Sequence, residues 1–349
     1  PCQGSALPLS YAPIPDVWGR CILLALRAQA HNSGNMKKFA SSLFSPGLKR
    51  FFQLQPETYE ESTSSRQTAP TPVLVLGQPA TSPVVLASPH SGHFYPEAFV
   101  RISRQPLDIL RSGEDSFVNE LALGAQALGP PLLQATFPRV FCDVNRAAWE
   151  LDSRMFHGAI PSFVTASDRA LAGLGSIPRI VADRRPIYRQ RLPFMEAALR
   201  IRHYWMPYHT ALADLLQAAH TQHGFCLLLD LHSMPDTPQA GSPDFVLGDR
   251  HGTSCTQRLT DLAEQTLQGL GFKTARNHPY AGGYITRHYG RPASNMHALQ
   301  IEMRRGLYMD EATRTPHEGF AALSDALTIL AEQVLAHFPG ATDPSHPSG

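Results

Sequence analysis

Short apolar runs recur along the chain, and three of them stop at a polar cluster: His90, Asn145 with Arg146, and His232. "PVVLASPH" (83–90), "LLQATFP" (132–138), "RVFCDVN" (139–145), "FCLLLDLH" (225–232) and "HALQIEM" (297–303) have the length and β-branched or aliphatic content of buried strands. Between them lie stretches with apolar residues at helical spacing, clearest over 115–128, 193–224, 254–271 and 319–338. This alternation predicts an α/β fold with a mixed, mostly parallel central sheet flanked by helices. The polar, Ser/Thr-rich stretch 53–71 reads as a linker, and "FPGATDPSHPSG" as a fraying end. The expected organisation is an N-terminal extension and linker over 1–71, poorly ordered, one domain over 72–338, and a flexible tail over 339–349. Residues 1–35 precede the first methionine, Met36, and are assigned no function.

Composition narrows the field. Lys+Arg 30 against Asp+Glu 29 gives a formal charge of +1, with no basic block. That provides no electrostatic case for nucleic acid or a membrane surface as partner. No run reaches the ~18 apolar residues of a membrane span. The five cysteines are widely spaced and lack a CxxC pair, which argues against a disulfide framework and a cysteine zinc site and favours a reducing cytoplasm.

The chemistry gathers where strands stop, the place where open α/β sheets bind ligands. His90 and His232 each follow an apolar run, and neutral imidazoles suit a borderline metal such as Zn2+. A catalytic ion needs a third protein ligand. Asp115 is preferred, with Glu114 beside it as the rival. Asp230 is two residues before His232 on the same strand face, where it can orient the imidazole. Glu302 stands inside an apolar strand, where a carboxylate is costly unless paired or used. Burial would raise its pKa toward that of a general base. A salt bridge to Arg304 or Arg305 is the plain alternative. Arg139, Asn145 and Arg146 close the third run: one arginine can fork a carboxylate and another hold a developing oxyanion. In "NHPYAGGYITRHYGRP" (277–292) two glycines separate Tyr280 from Tyr284, and Arg287 follows. That segment is either a loop that covers a small ligand or a plain turn.

These segments resemble the N-formylglutamate amidohydrolase family. "SPHSGHFYP", "GEDSFVNEL", "FPRVFCDVNRAAWELDSRMF", "LDLHSMP", "NHPYAGGYITRHYGRP" and "HALQIEMRRGLYMDE" carry the likeness, in order, over about 88–311. The resemblance implies a zinc-exopeptidase-like fold, akin to zinc carboxypeptidases and aspartoacylase. It also implies a zinc-dependent amidohydrolase that removes a formyl or other acyl group from a small-molecule N-acyl amino acid, typically in histidine breakdown. It favours Asp115 over Glu114 as the ligand beside His90 and His232. By analogy with carboxypeptidases, Asn145 and Arg146 receive the substrate carboxylate and Glu302 activates water. The residues themselves suggest Arg139 at the oxyanion and Tyr284 and Arg287 on the substrate side. Carboxypeptidases place a glutamate three residues after their first histidine ligand. Here His93 occupies that position, and it stays open as a further ligand. A related N-acyl-amino-acid hydrolase or carboxypeptidase, and a non-catalytic carboxylate-binding protein, are the alternatives.

Overall fold

The computed structural model describes residues 70–181, 184–236 and 241–337. The expected extension and linker over 1–71 lies outside the described residues as far as residue 69, and the expected tail over 339–349 lies outside them entirely. Seven strands form the main sheet: β1 (Val73–Leu76), β2 (Val84–Ser88), β3 (Leu132–Ala135), β6 (Cys226–Met234), β7 (Phe245–Gly248), β8 (Thr274–Arg276) and β9 (Met296–Arg304). A separate pair, β4 (Phe156–His157) and β5 (Leu192–Pro193), lies between β3 and β6 in the chain. The spatial order is β1-β3-β2-β6-β9-β7-β8. The pairs β3/β2, β2/β6, β6/β9 and β7/β8 are parallel, and β1/β3 and β9/β7 antiparallel. This is the mixed, mostly parallel sheet that the sequence pattern predicts.

The two central strands are long because both of their faces are covered. Alternation along them divides the chemistry. Leu227, Leu229 and Leu231 of β6, with Leu299, Ile301 and Met303 of β9, pack into the main apolar core. The helices Gly319–Ala336 and Gln257–Gly269 cover that side through Leu323, Leu327, Leu330, Leu259 and Leu267. Gly319–Ala336 is long and apolar enough to cross a membrane, but its apolar stripe is spent on this core. The alternate positions, Asp230 and His232 on β6 and Gln300 and Glu302 on β9, face the other way. The helix Met206–His223 packs on β2 and β6.

Several boundaries differ from the sequence reading, each for a local reason. Residues 139–145 are not a strand. The amides of Phe141 and Cys142 turn back to the carbonyl of Pro138, and Asp143 N donates to Ser176 O, so the segment folds into successive turns. The expected helix over 115–128 is cut in two, Val118–Leu121 and Leu123–Ala127, and starts only after Phe117, which takes a left-handed φ of 65°. The expected helix over 193–224 contains a wide π turn, Ile201–Trp205, between Phe194–Arg200 and Met206–His223. Pro207 stands at the start of the last segment; it has no N–H for the ladder and its ring crowds the preceding turn, which the wide turn relieves. Strands β1, β7 and β8 had no clear signal because they are only three or four residues long. Residues 284–289 form a short helix, Tyr284–Tyr289.

Burial predicts where the fold is fragile. Ile301→Ala empties a fully enclosed position and should lower the unfolding free energy by about 2–5 kcal/mol, whereas Leu123→Ala, at 45% exposure, should change it by less than ~0.5 kcal/mol. Denaturant titration of both variants checks the assignment, and equal losses would contradict it.

Candidate active site

His90 leaves the end of β2, Asp115 precedes the helix Val118–Leu121, and His232 sits near the end of β6. The backbone joins the first two: Asp115 N donates to His90 O at 3.0 Å. Their side chains converge. His232 Nδ1 lies 3.0 Å from Asp115 Oδ2, and His90 Nδ1 lies 3.5 Å from the same oxygen. The ligand atoms of all three fall within 4.8 Å of one another, and all three residues are buried. The rivals are placed elsewhere. Glu114 accepts from Tyr95 Oη, Arg111 Nε and Ser116 Oγ, and His93 is exposed.

Each ligand candidate is held from behind. His90 Nε2 lies 2.8 Å from Asp143 Oδ1. Asp143 Oδ2 accepts from Arg139 Nη2 at 3.0 Å, and its Oδ1 also accepts from Asn145 N. His232 Nε2 lies 3.2 Å from Asp230 Oδ2, at ion-pair distance but outside hydrogen-bond alignment, and 3.2 Å from the Asn145 amide nitrogen. Asp115 divides its oxygens. Oδ2 faces the two histidines, while Oδ1 accepts from Arg305 Nη2 at 3.3 Å and Ser233 Oγ at 3.4 Å. Outer partners of this kind fix the orientation of ligating side chains.

Electrostatics favour a cation at the centre. Burial alone would raise Asp115, but the hydrogen bond with His232 and the nearness of both His232 and His90 hold it well below the ordinary carboxylate range. Burial would lower His232, yet the carboxylates of Asp230 and Asp115 push it well above its ordinary value. The same excess of carboxylate that would keep a proton on His232 suits a bound metal ion. His90 Nδ1 is the clearest fit: it is buried and has no hydrogen-bond partner. Two imidazoles and a carboxylate are a frequent donor set for catalytic zinc, with a fourth position left to solvent.

Glu302 stands opposite His232 in the parallel β6–β9 register. Burial pushes its carboxyl up to about 7; the His232 charge opposes this, Asp115 adds to it, and Arg139 again opposes it. Its Oε1 accepts from Gln300 Nε2 at 2.7 Å. Neither neighbouring arginine pairs with it. Arg304 goes to Asp236 and Asp244, and Arg305 to Asp115 and Glu311. The guanidinium of Arg139 is near enough for Asp143, Asp115 and Glu302 to stabilise its charge.

Arg146 points along the same wall. Its Nε donates to Leu174 O and its Nη1 to Asn145 O, both at 3.0 Å. Asn145 uses its side chain inside the protein: Oδ1 accepts from Ile285 N at 2.9 Å and Nδ2 meets His232. Tyr284 packs among Trp205, His209 and His288, and Arg287 lies exposed over its ring at 5.7 Å. The tyrosine whose hydroxyl feels Glu302, Arg305, Asp115 and Arg139 is Tyr280, four residues earlier. The paired glycines have definite reasons. Gly282 has φ 117°, and a Cβ on Gly283 would lie 2.2 Å from the Asn145 side chain.

Sequence reasoning missed Asp143, Arg305 and Tyr280. Asp143 carried a usable signal, an acid inside the apolar "VFCDV". Arg305 carried none beyond its neighbour, since only the strand's turn after Arg304 sends it inward. A surface concavity of about 470 Å³ beside Gln257, Arg258 and Asp261 holds none of these groups.

Fold and site together define a class: a mixed α/β domain with a His–Asp–His group of metal-binding type and a buried carboxylate on adjoining strands. The model of the N-formylglutamate amidohydrolase family matches residues 82–309, and the chain belongs to that family. A curated N-formylglutamate deformylase of Pseudomonas aeruginosa (strain PAO1) is 32% identical over 218 residues, 60% of this chain and 76% of the relative. One from Pseudomonas putida is 29% identical over 246 residues, 66% of this chain and 82% of the relative. The crystal structure of N-formylglutamate amidohydrolase from Ralstonia eutropha JMP134 shares 38% identity, with a TM-score of 0.72 over 77% of this chain and 98% of that one.

Purified protein should carry close to one divalent ion per chain. His232→Ala and Asp115→Ala should each remove it, and Glu114→Ala should retain it. Stoichiometric metal in His232→Ala, by elemental analysis, would strike that residue from the ligand set.

Proposed function

We propose that this chain is a zinc-dependent deformylase that hydrolyses N-formyl-L-glutamate to formate and glutamate, a step of histidine breakdown. The observation that carries the reading is the pairing of Glu302 with His232 across β6 and β9, a buried base beside a metal-type site. The names of the relatives support the choice of substrate.

In this reading His90, Asp115 and His232 hold the ion. Zinc bound there supplies Lewis acidity, polarising the formyl oxygen and making a water molecule more acidic. Glu302 accepts the proton of the attacking water. Its neighbours keep that proton exchangeable, since burial and Asp115 favour the neutral acid while His232 and Arg139 favour the carboxylate. As the carbon–nitrogen bond breaks, Glu302 returns the proton to the leaving amine nitrogen, which becomes the amino group of glutamate. The Arg139 guanidinium, anchored by Asp143, faces the negative charge that develops on the formyl oxygen. Arg146 receives the α-carboxylate, which orients the formamide before attack. Asn145 contributes from beneath, because its carbonyl holds Arg146 and its side chain braces His232. Tyr284 and Arg287 close the substrate side.

Glu302→Gln preserves size and the contact from Gln300. It should retain metal yet lower kcat by at least ~100-fold. The sign of the pH dependence follows from the base role. Glu302 must be ionised, so kcat/KM of the wild type should fall as pH drops through about 7, and this limb should vanish from the residual activity of the glutamine variant. A wild-type profile flat down to about pH 5 would move the base elsewhere.

Arg146→Lys keeps charge but loses the planar fork. It should raise KM for N-formyl-L-glutamate with metal content unchanged. The wild type should also disfavour the substrate's α-amide strongly, since that ligand leaves Arg146 without its anion. Comparable kcat/KM on acid and amide would detach Arg146 from the α-carboxylate.

A further inference from the structure

Four arginines beside the candidate active site lack an ion-paired carboxylate. Arg146, Arg169, Arg250 and Arg287 make no ion pair among the described residues, whereas Arg139, Arg304 and Arg305 nearby are all paired. One short scaffold holds all four. The Asn145 carbonyl accepts both from Arg146 Nη1 and from the backbone amide of Tyr284. The Leu174 carbonyl accepts from Arg146 Nε, and Leu174 N donates to the carbonyl of Arg169. Arg250 N donates to Ala281 O, and its Nη1 reaches Gly282 O at 3.4 Å. Arg287 N donates to Gly283 O, and its head lies over Tyr284.

The charges act on one another. After burial, the largest influences lowering Arg250 are Arg287 and Arg169; Arg146 is lowered by burial and by Arg139 and Arg169, with Asp143 and Glu150 opposing. Like charges held this close raise each other's cost, and an anion bound among them removes it. The arrangement is also stiff. Arg250 sits at φ 54° in a turn whose amides at Asp249 and His251 both donate to Asn277 Oδ1.

The patch is joined to the proposed reaction centre. The loop that begins at Tyr280, whose hydroxyl feels Glu302 and Asp115, reaches the arginines at Gly282–Arg287. Gly283 N donates to Gln300 Oε1, and Gln300 donates in turn to Glu302. We propose that Arg250 and Arg287, backed by Arg169, form a second carboxylate subsite that receives the side-chain carboxylate of an N-formyl dicarboxylic amino acid and selects it over monocarboxylic analogues. The proposal rests on the deformylase reading and on Arg146 holding the α-carboxylate. A single arginine would serve a monocarboxylate. The surplus of unpaired guanidinium on the same wall matches a dianion.

The test compares N-formyl-L-glutamate with N-formyl-L-norvaline, which keeps the side-chain length and lacks the second carboxylate. Arg250→Asn is chosen because asparagine tolerates the positive φ, and Arg287→Gln because that position is exposed. In the double variant the kcat/KM preference for the glutamate compound should fall by at least ~10-fold, the size expected for a lost charged hydrogen bond. The fall should come through KM rather than kcat. Arg287→Lys alone should keep part of the preference, and added salt should erode it in the wild type. A preference that survives in the double variant, including one where both substrates lose equally, overturns the subsite. So does a wild type that handles both compounds alike. A metal-replete wild type that turns over neither overturns the deformylase reading itself, and this proposal with it.

Discussion

Everything in this site depends on burying acidic groups beside two imidazoles. Asp115, Asp143, Asp230 and Glu302 are all nearly inaccessible to solvent, as are His90 and His232. Carboxylates are costly in a low-dielectric interior unless a cation compensates them. Arg139 does this for Asp143, and Arg305 for one oxygen of Asp115. The second oxygen of Asp115 is left to the histidines. The compensation is therefore made at Asp143 and at one oxygen of Asp115 and stays open at the centre, where a buried His90 nitrogen and both oxygens of Asp230 lack a hydrogen-bond partner. A centre built in this way favours a bound cation, and it tunes Glu302 through the same field.

The sheet makes that density of charge possible. A parallel register places Asp230 against Gln300 and His232 against Glu302 on one face. On the opposite face the alternate residues of the same strands join the main core, and their burial holds the register. A slip of one residue would exchange the ladder of polar groups for leucines. The loops then need only carry His90 and Asp115 to a fixed rail, and the backbone bond between those two residues keeps them together.

The two polar loops divide the remaining work. The turns over 138–146 gather Arg139, Asp143, Asn145 and Arg146, so one segment braces His90, brings Arg139 within reach of Glu302 and presents the Arg146 guanidinium. The loop from Tyr280 to Arg287 crosses over Gln300 and brings cationic groups toward the same wall. Two glycines let it pass: Gly282 takes a positive φ, and Gly283 leaves room for the Asn145 side chain. Any side chain at Gly283 would displace the residue that steadies His232.

The chain's own pattern was sufficient for the fold class, because the central strands are continuous apolar runs and the long helices have regular apolar spacing. It also singled out His90, His232 and Glu302, since charged or metal-binding groups in or at the ends of buried strands are conspicuous against the apolar residues around them. Short strands such as β7 and the edge strands β1 and β8 were illegible, because three or four residues carry too little periodicity. The run over 139–145 looked like a strand and is a set of turns, because Pro138 and the Ser176 contact outweigh local β propensity. Choosing Asp115 over Glu114 for the cluster was equally beyond periodicity, as adjacent residues differ only in the direction the turn sends them. Asp143, Arg305 and Tyr280 joined the site only in three dimensions. Asp143 meets His90 across 53 residues of sequence and Arg305 meets Asp115 across 190, and the sheet register and loop paths that unite them are properties of the packed chain.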